Sequence, residues 1–265
     1  MINDNDFFVI AGPCVIESES LCQRVAETLA NLKDQLGLKI YFKASFDKAN
    51  RTSVKGFRGP GLDEGLAILE RIKQQFELPL VTDVHETHQV KAVANVVDML
   101  QTPAFLCRQT DFIQAVAQSN KPVNIKKGQF LSPDEMKYVI EKAQSVSSQP
   151  IYACERGSCF GYNNLVVDYR GLATMRSFAP VIFDATHSVQ QPGGLGGSSG
   201  GHRHMVPVLA KAACAVGVDG LFLETHPNPD QALSDGPNMW PLSHLGPLLK
   251  VLMRINENNK DVVYG

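Results

Sequence analysis

Three β-prone runs lead into residues that can hold a metal. "FVIAG" (8–12) is followed by Pro13 and Cys14, "VIFDAT" (181–186) by His187, and "GLFLET" (220–225) carries Glu224. Asp235 follows in "LSDGPN". A thiol, an imidazole and two carboxylates form a mixed soft and hard donor set. It suits a divalent transition metal such as Fe2+, Zn2+ or Mn2+. A site for Mg2+ alone rarely uses a thiolate. Taken singly, each residue has a plainer reading, because a lone cysteine usually packs as a small apolar side chain. The set matters only if the fold gathers it. It then admits two chemistries, a metal centre or a nucleophilic Cys14–His187 pair.

A second group is cationic. Lys43, Lys48, Arg51, Arg108, Lys126 and Arg156 all stand at or shortly after the ends of other β-prone runs. Asn50, Asp83 and Gln101 occupy equivalent places. The formal net charge is only −2. Such a concentration in a nearly neutral chain calls for anionic ligands, phosphate or carboxylate.

Both groups need a scaffold that brings strand ends together. Eight short runs qualify as strands: "FVIAG" (8–12), "IYFKAS" (40–45), "LVTDV" (80–84), "MLQTP" (99–103), "VNIKK" (123–127), "IYACE" (151–155), "VIFDAT" (181–186) and "GLFLET" (220–225). Helical patterns lie between them. Leu21, Val25, Leu29, Leu32 and Leu36 recur at spacings of three and four, as do Leu62, Leu66, Leu69, Ile72 and Phe76. Ser132-Pro133-Asp134-Glu135 reads as the opening of the fifth helix, Gly217 as the stop of the seventh, and a last helix is expected over 242–255. Eight β-α alternations predict a parallel sheet with helical crossovers. The nearly all-apolar strands fit a sheet covered on both faces. Count and length predict one (β/α)8 TIM barrel over residues 1–265. A doubly wound open sheet is the competing arrangement, but "AGPC" is not its glycine fingerprint. In a closed barrel Cys14, His187 and Glu224 come from consecutive staves, with the Asp235 loop able to fold over them.

Other features exclude whole classes. At 44% hydrophobic and 20% charged residues, the composition is that of a soluble globular protein, with nothing that favours nucleic acid. No apolar stretch is long enough for a membrane span. "MINDND" lacks the features of a signal peptide, and six scattered cysteines (14, 22, 107, 154, 159, 214) form no CxxC pair. The expectation is a cytoplasmic protein with free thiols. "QPGGLGGSSGGHRH" (191–204) reads either as a lid that orders over substrate or as a plain flexible loop, with His202 and His204 facing solvent. Tyr152 and Phe160 are expected to pack. A barrel hydrolase would want HxH where "AGPC" stands, and a non-catalytic metabolite-binding barrel would not need so complete a rim.

Longer motifs then carry a resemblance. "FKASFDKANRTS" (42–53), "RGPGL" (58–62), "TDVHE" (82–86), "PAFLCRQTD" (103–111), "NIKKGQF" (124–130), "FGYNNLVVD" (160–168), "FDATHSVQ" (183–190) and "SDGPNMWPL" (234–242) resemble the 3-deoxy-D-manno-octulosonate 8-phosphate synthases over almost the whole chain. The resemblance implies a homotetrameric TIM barrel that condenses phosphoenolpyruvate with D-arabinose 5-phosphate for the lipopolysaccharide inner core. The metal-independent relatives carry Asn where Cys14 stands, so Cys14 and "SDGPNMWPL" imply the metal-dependent form. Its ligands map onto Cys14, His187, Glu224 and Asp235. The resemblance places Lys43, Lys48, Gln101, Lys126, Arg156 and His187 around phosphoenolpyruvate, and Asn50, Arg51, Thr52 and Asp83 around the sugar phosphate. Arg108 would reach across from a neighbouring subunit. The sister 3-deoxy-D-arabino-heptulosonate 7-phosphate synthases, which use erythrose 4-phosphate, typically show Lys-Pro-Arg-Thr where this chain has Lys-Ala-Asn-Arg-Thr (48–52).

Overall fold

The computed structural model describes residues 7–194, 196 and 199–259. Both extremes of the expected 1–265 domain, and three positions of the glycine-rich 191–204 loop, lie outside the described residues. Eight strands form the barrel: β1 Phe8–Gly12, β2 Lys39–Lys43, β3 Leu80–Asp83, β4 Met99–Thr102, β5 Val123–Lys126, β6 Ile151–Glu155, β7 Val181–Asp184 and β8 Gly220–His226. Each pairs in parallel with the next, and β8 returns to β1 with Gly12 opposite Glu224, so the sheet closes. The helices α1 Glu19–Leu36, α2 Leu62–Phe76, α3 Val90–Val96, α4 Thr110–Ala117, α5 Met136–Gln144, α6 Tyr169–Arg176, α7 Val206–Val216 and α8 Leu245–Asn259 alternate with the strands. The expected (β/α)8 TIM barrel is the observed fold.

Strand alternation divides the buried side chains into two sets. Val9, Ile40, Phe42, Leu80, Leu100, Ile125, Phe183 and Leu223 point outward and join the helices in one continuous core. Phe8, Ile10, Tyr41, Val81, Met99, Tyr152, Ile182 and Phe222 point inward and fill the barrel. Two residues on from several of these, the inward positions turn polar: Lys43 after Tyr41, Asp83 after Val81, Gln101 after Met99, Asp184 after Ile182 and Glu224 after Phe222. Gly12 makes a close approach possible at this level. It has φ +154°, and a Cβ there would lie 2.0 Å from the Lys43 carbonyl oxygen. Cys14 is thereby turned over the barrel mouth.

Several local expectations need correction. The Ser132–Glu135 box forms both its reciprocal bonds, Ser132 N to Glu135 Oε2 at 2.9 Å and Glu135 N to Ser132 Oγ at 3.3 Å. Its residues nonetheless make turns, and α5 begins only at Met136. Leu242–His244 form a separate 3-10 turn, so the last helix runs from Leu245, not from 242. Tyr152 packs inside the barrel as expected, but Phe160 is 68% exposed. It lies on the turn between two short antiparallel strands, Ser158–Cys159 and Leu165–Val166.

Candidate active site

The polar strand ends enclose a cavity of about 1120 Å³. Lys43, Lys48, Asn50, Arg51, Thr52, Asp83, Gln101, Lys126, Arg156, His187 and Asp235 line it. Cys14 and Glu224, each 1% exposed, lie just beneath its floor. Arg108 is exposed and does not line the cavity of its own chain. His202 and His204 are both exposed.

The expected metal ligands converge. Donor atoms of Cys14, Glu224 and Asp235 all lie within 4.8 Å of one another, with the Cys14 Sγ 4.0 Å from Asp235 Oδ2. His187 joins from the carboxylate side, its Nε2 3.5 Å from Glu224 Oε2 and 3.3 Å from Asp235 Oδ2. Donors held 2.0–2.3 Å from one ion at tetrahedral angles stand roughly 3.3–3.8 Å apart; the two His187 contacts fall in that range, and the Cys14–Asp235 separation of 4.0 Å is slightly wider. Glu224 Oε2 is buried without a hydrogen-bond partner. The His187 Nδ1 lies 2.8 Å from Asp184 Oδ2, which orients the ring with Nε2 toward the cluster, where a bound cation would displace an Nε2 proton. The donor chemistry of these residues fits a divalent transition metal.

The electrostatics fit as well. Burial works to raise both Glu224 and Asp235, but His187 and the nearby lysines outweigh it and hold both below their ordinary values. Both are therefore carboxylates. Burial, then the Glu224 charge, pushes the Cys14 thiol up to about 12. A protonated thiol is a poor nucleophile, which weighs against the Cys14–His187 pair. A bound cation would displace that proton. The Cys14 Sγ meanwhile lies 2.9 Å from the Ser234 hydroxyl.

Around the cluster the charges pair off. The Lys43 ammonium, 1% exposed, donates to Glu224 Oε1 at 3.1 Å, Ser45 Oγ at 2.9 Å and the Cys14 carbonyl at 3.3 Å. Asp83 accepts from Ser45 and Gln101, and Gln101 in turn accepts from Asn124 at 2.8 Å. Lys126 donates to Asp184 and lies over the Phe222 ring, 3.5 Å from its centroid. Among the described residues three guanidinium nitrogens of cavity-lining arginines are buried and unpartnered, Arg51 Nη2, Arg156 Nη1 and Arg203 Nε. Buried donors of this kind call for an anion.

Sequence reasoning named Asp184 only as a strand end, and missed Gln190 and Ser234. Asp184 orients His187 and binds Lys126. Gln190 accepts from Arg156 at 2.9 Å and donates to Asp235 at 3.0 Å, joining the cationic and carboxylate halves. The available signal was the spacing in "FDATHSVQ", where Asp184 and His187 stand three apart.

A closed parallel barrel with buried charges at its carboxyl-terminal mouth defines an enzyme for small anionic substrates. The DAHP synthetase I family matches residues 2–260, and the chain belongs to that family. It is 61% identical over 251 residues to the 2-dehydro-3-deoxyphosphooctonate aldolase of Acidithiobacillus ferrooxidans, covering 94% of this chain and 89% of that protein. Proteins of the same name from Alkalilimnicola ehrlichii and Coxiella burnetii are each 59% identical over 255 residues. Both alignments cover 96% of this chain, with 92% and 91% of the respective relatives.

Proposed function

We propose that the chain condenses phosphoenolpyruvate with D-arabinose 5-phosphate and water. The products are 3-deoxy-D-manno-octulosonate 8-phosphate, for the lipopolysaccharide inner core, and inorganic phosphate. Relatives at about 60% identity bear the name of this eight-carbon acid, not that of its seven-carbon analogue. The carrying observation is one cavity with cationic groups on opposite staves. Lys126 ends β5 and Arg156 follows β6, while Asn50, Arg51 and Thr52 follow β2. Two phosphorylated substrates must meet head to head between such groups.

Lys126, Arg156, Gln101, Lys43 and Lys48 would hold the phosphate and carboxylate of phosphoenolpyruvate. Asn50, Arg51, Thr52 and Asp83 would hold the sugar phosphate and its hydroxyls. C3 of phosphoenolpyruvate then bonds to the aldehyde carbon while water adds at C2. The C2–O bond to phosphate breaks afterward. Lys126 and Arg156 stabilise the charge that develops on the phosphoenolpyruvate side. His187, fixed by Asp184, stands between that side and the carboxylates. Cys14, His187, Glu224 and Asp235 would hold one Fe2+, Zn2+ or Mn2+ ion. When bound it would supply Lewis-acid polarisation of the aldehyde or orientation of the water.

A homotetramer is what the resemblance implies, and Arg108, exposed and outside the lining of its own cavity, would then reach a neighbouring subunit. Among the described residues no helix is long and apolar enough to cross a membrane. A cytoplasmic location agrees with free cysteines throughout the described chain.

The test is phosphate release from phosphoenolpyruvate with arabinose 5-phosphate or erythrose 4-phosphate. Release with the five-carbon sugar alone is the expected result. It would give Asn50 its role, because a site built around a hydroxyl rejects a substrate that lacks it. Release with erythrose 4-phosphate instead would overturn the substrate assignment.

A further inference from the structure

Lys126 and Arg156 each have a charged neighbour in sequence that faces the other way. Strand alternation aims Lys126 and Arg156 into the cavity, and it aims Lys127 and Glu155 to the opposite side. There the Lys127 side chain is fully buried, at 0% exposure, and Glu155 is 2% exposed. Neither touches the cavity, and the proposed chemistry uses neither. A buried ammonium is costly unless many partners surround it. Lys127 has four. Its Nζ lies 3.1 Å from Ser158 Oγ, 3.2 Å from the Leu131 carbonyl, 3.4 Å from the Gly128 carbonyl and 3.5 Å from Glu155 Oε1.

These partners belong to two separate stretches of chain. Gly128 and Leu131 lie in the segment after β5, whereas Glu155 ends β6 and Ser158 lies in the segment after it. The Glu155 carboxylate also accepts from Gly157 N at 2.6 Å. That closes the turn directly after Arg156, where Gly157 holds φ +93°. Two backbone bonds complete the tie, Lys127 N to the Cys154 carbonyl at 2.8 Å and Cys159 N to the Gln129 carbonyl at 2.9 Å. The paired charges therefore pin the exit of β5 to the exit of β6. Lys126 and Arg156 are the last cavity-facing residues before those exits.

We propose that the Lys127–Glu155 pair is a positioning device for the phosphoenolpyruvate subsite. It fixes the spacing of Lys126 and Arg156 from behind the sheet and contributes nothing to the sugar-phosphate side. The proposal rests on the substrate reading above. Misplacing a binding group by about an ångström can cost up to about a hundredfold, so a selective effect is measurable.

The experiment compares wild type with Lys127→Met, Glu155→Gln and the double variant, with KM measured separately for each substrate. Each single variant leaves one buried charge unpaired and should lower Tm. The double variant removes both charges and should recover most of that stability. Its KM for phosphoenolpyruvate should stay raised about tenfold, with the KM for arabinose 5-phosphate within about twofold of wild type. A double variant with wild-type KM for phosphoenolpyruvate, or with both KM values raised equally, would overturn the proposal. If wild type releases no phosphate, the substrate reading fails separately. Calorimetric titration of phosphoenolpyruvate into wild type and double variant then decides the positioning role, and equal binding by the two would overturn it.

Discussion

The lower and upper halves of the barrel interior are built from the same strands and differ in chemistry within two residues. Below Gly12, Phe8 meets Tyr41 and Tyr152 edge-on, with ring centroids 5.5 and 5.4 Å apart. Gly220 makes room for that stack, since a Cβ there would lie 2.9 Å from the Phe8 ring. Above it, Lys43, Asp83, Lys126, Asp184 and Glu224 are all buried and mutually paired. Phe222 is the boundary, with apolar rings beneath it and two lysine ammonium groups over its face. The lower half gains its stability from burial of apolar area. The upper half buries charge, which adds little net stability and becomes costly when one partner is removed. On the proposed reading it would receive anions and a cation. Folding and function are thus placed on different layers of one barrel.

The sharpest way to break this division is a pair of substitutions with opposite outcomes. His187→Ala should lower kcat/KM about 10²–10³-fold. It should also lower metal content, with only a modest change in Tm. Phe8→Ala should cost about 3–5 kcal/mol of stability, with kcat of the folded fraction near wild type. Denaturant melts beside steady-state rates check both. If Phe8→Ala lost rate without stability, the layers would not be separate.

Cys14→Asn is a smaller change within the upper layer. It should weaken metal binding and keep part of the activity, measured as metal content after dialysis and as phosphate release. Unchanged metal content would remove Cys14 from the ligand set.

The smallest effect concerns acid stability. Burial works to raise Asp83, but Lys43, Lys48, His85 and the Ser45 hydroxyl hold it well below the ordinary carboxylate value. A depressed folded-state pKa adds stability above the unfolded value of about 3.9. That contribution is lost as pH falls below it. The stability difference between wild type and Asp83→Asn should therefore be full near pH 7 and shrink below about pH 4. A difference independent of pH would show that Asp83 acts by packing alone.

Much of this design was legible in the residues. Apolar runs alternating with amphipathic stretches dictate parallel strands and crossovers, because each must bury its apolar face. Closure then makes β7, β8 and β1 neighbours, which by chain order alone places Cys14, His187 and Glu224 together. Asp235 comes from the loop after β8, and the tertiary fold brought it to them. Phe160 misled because hydrophobicity says what a side chain gains from burial, not whether a two-strand extension offers it a surface.

The sequence by itself determined the barrel, its strand count and the residues at its mouth, since these depend on local periodicity and chain connectivity. Only the tertiary structure decided how the charges pair. Asp184 clamps His187 and Lys126, Gln190 joins Arg156 to Asp235, and Lys127 ties two loops behind the sheet. Those pairings depend on inter-strand register, on Gly12 packed against the Lys43 backbone, and on rotamers chosen where burial makes every unpaired charge costly. Apart from the three-residue step from Asp184 to His187, no spacing along the chain encodes them.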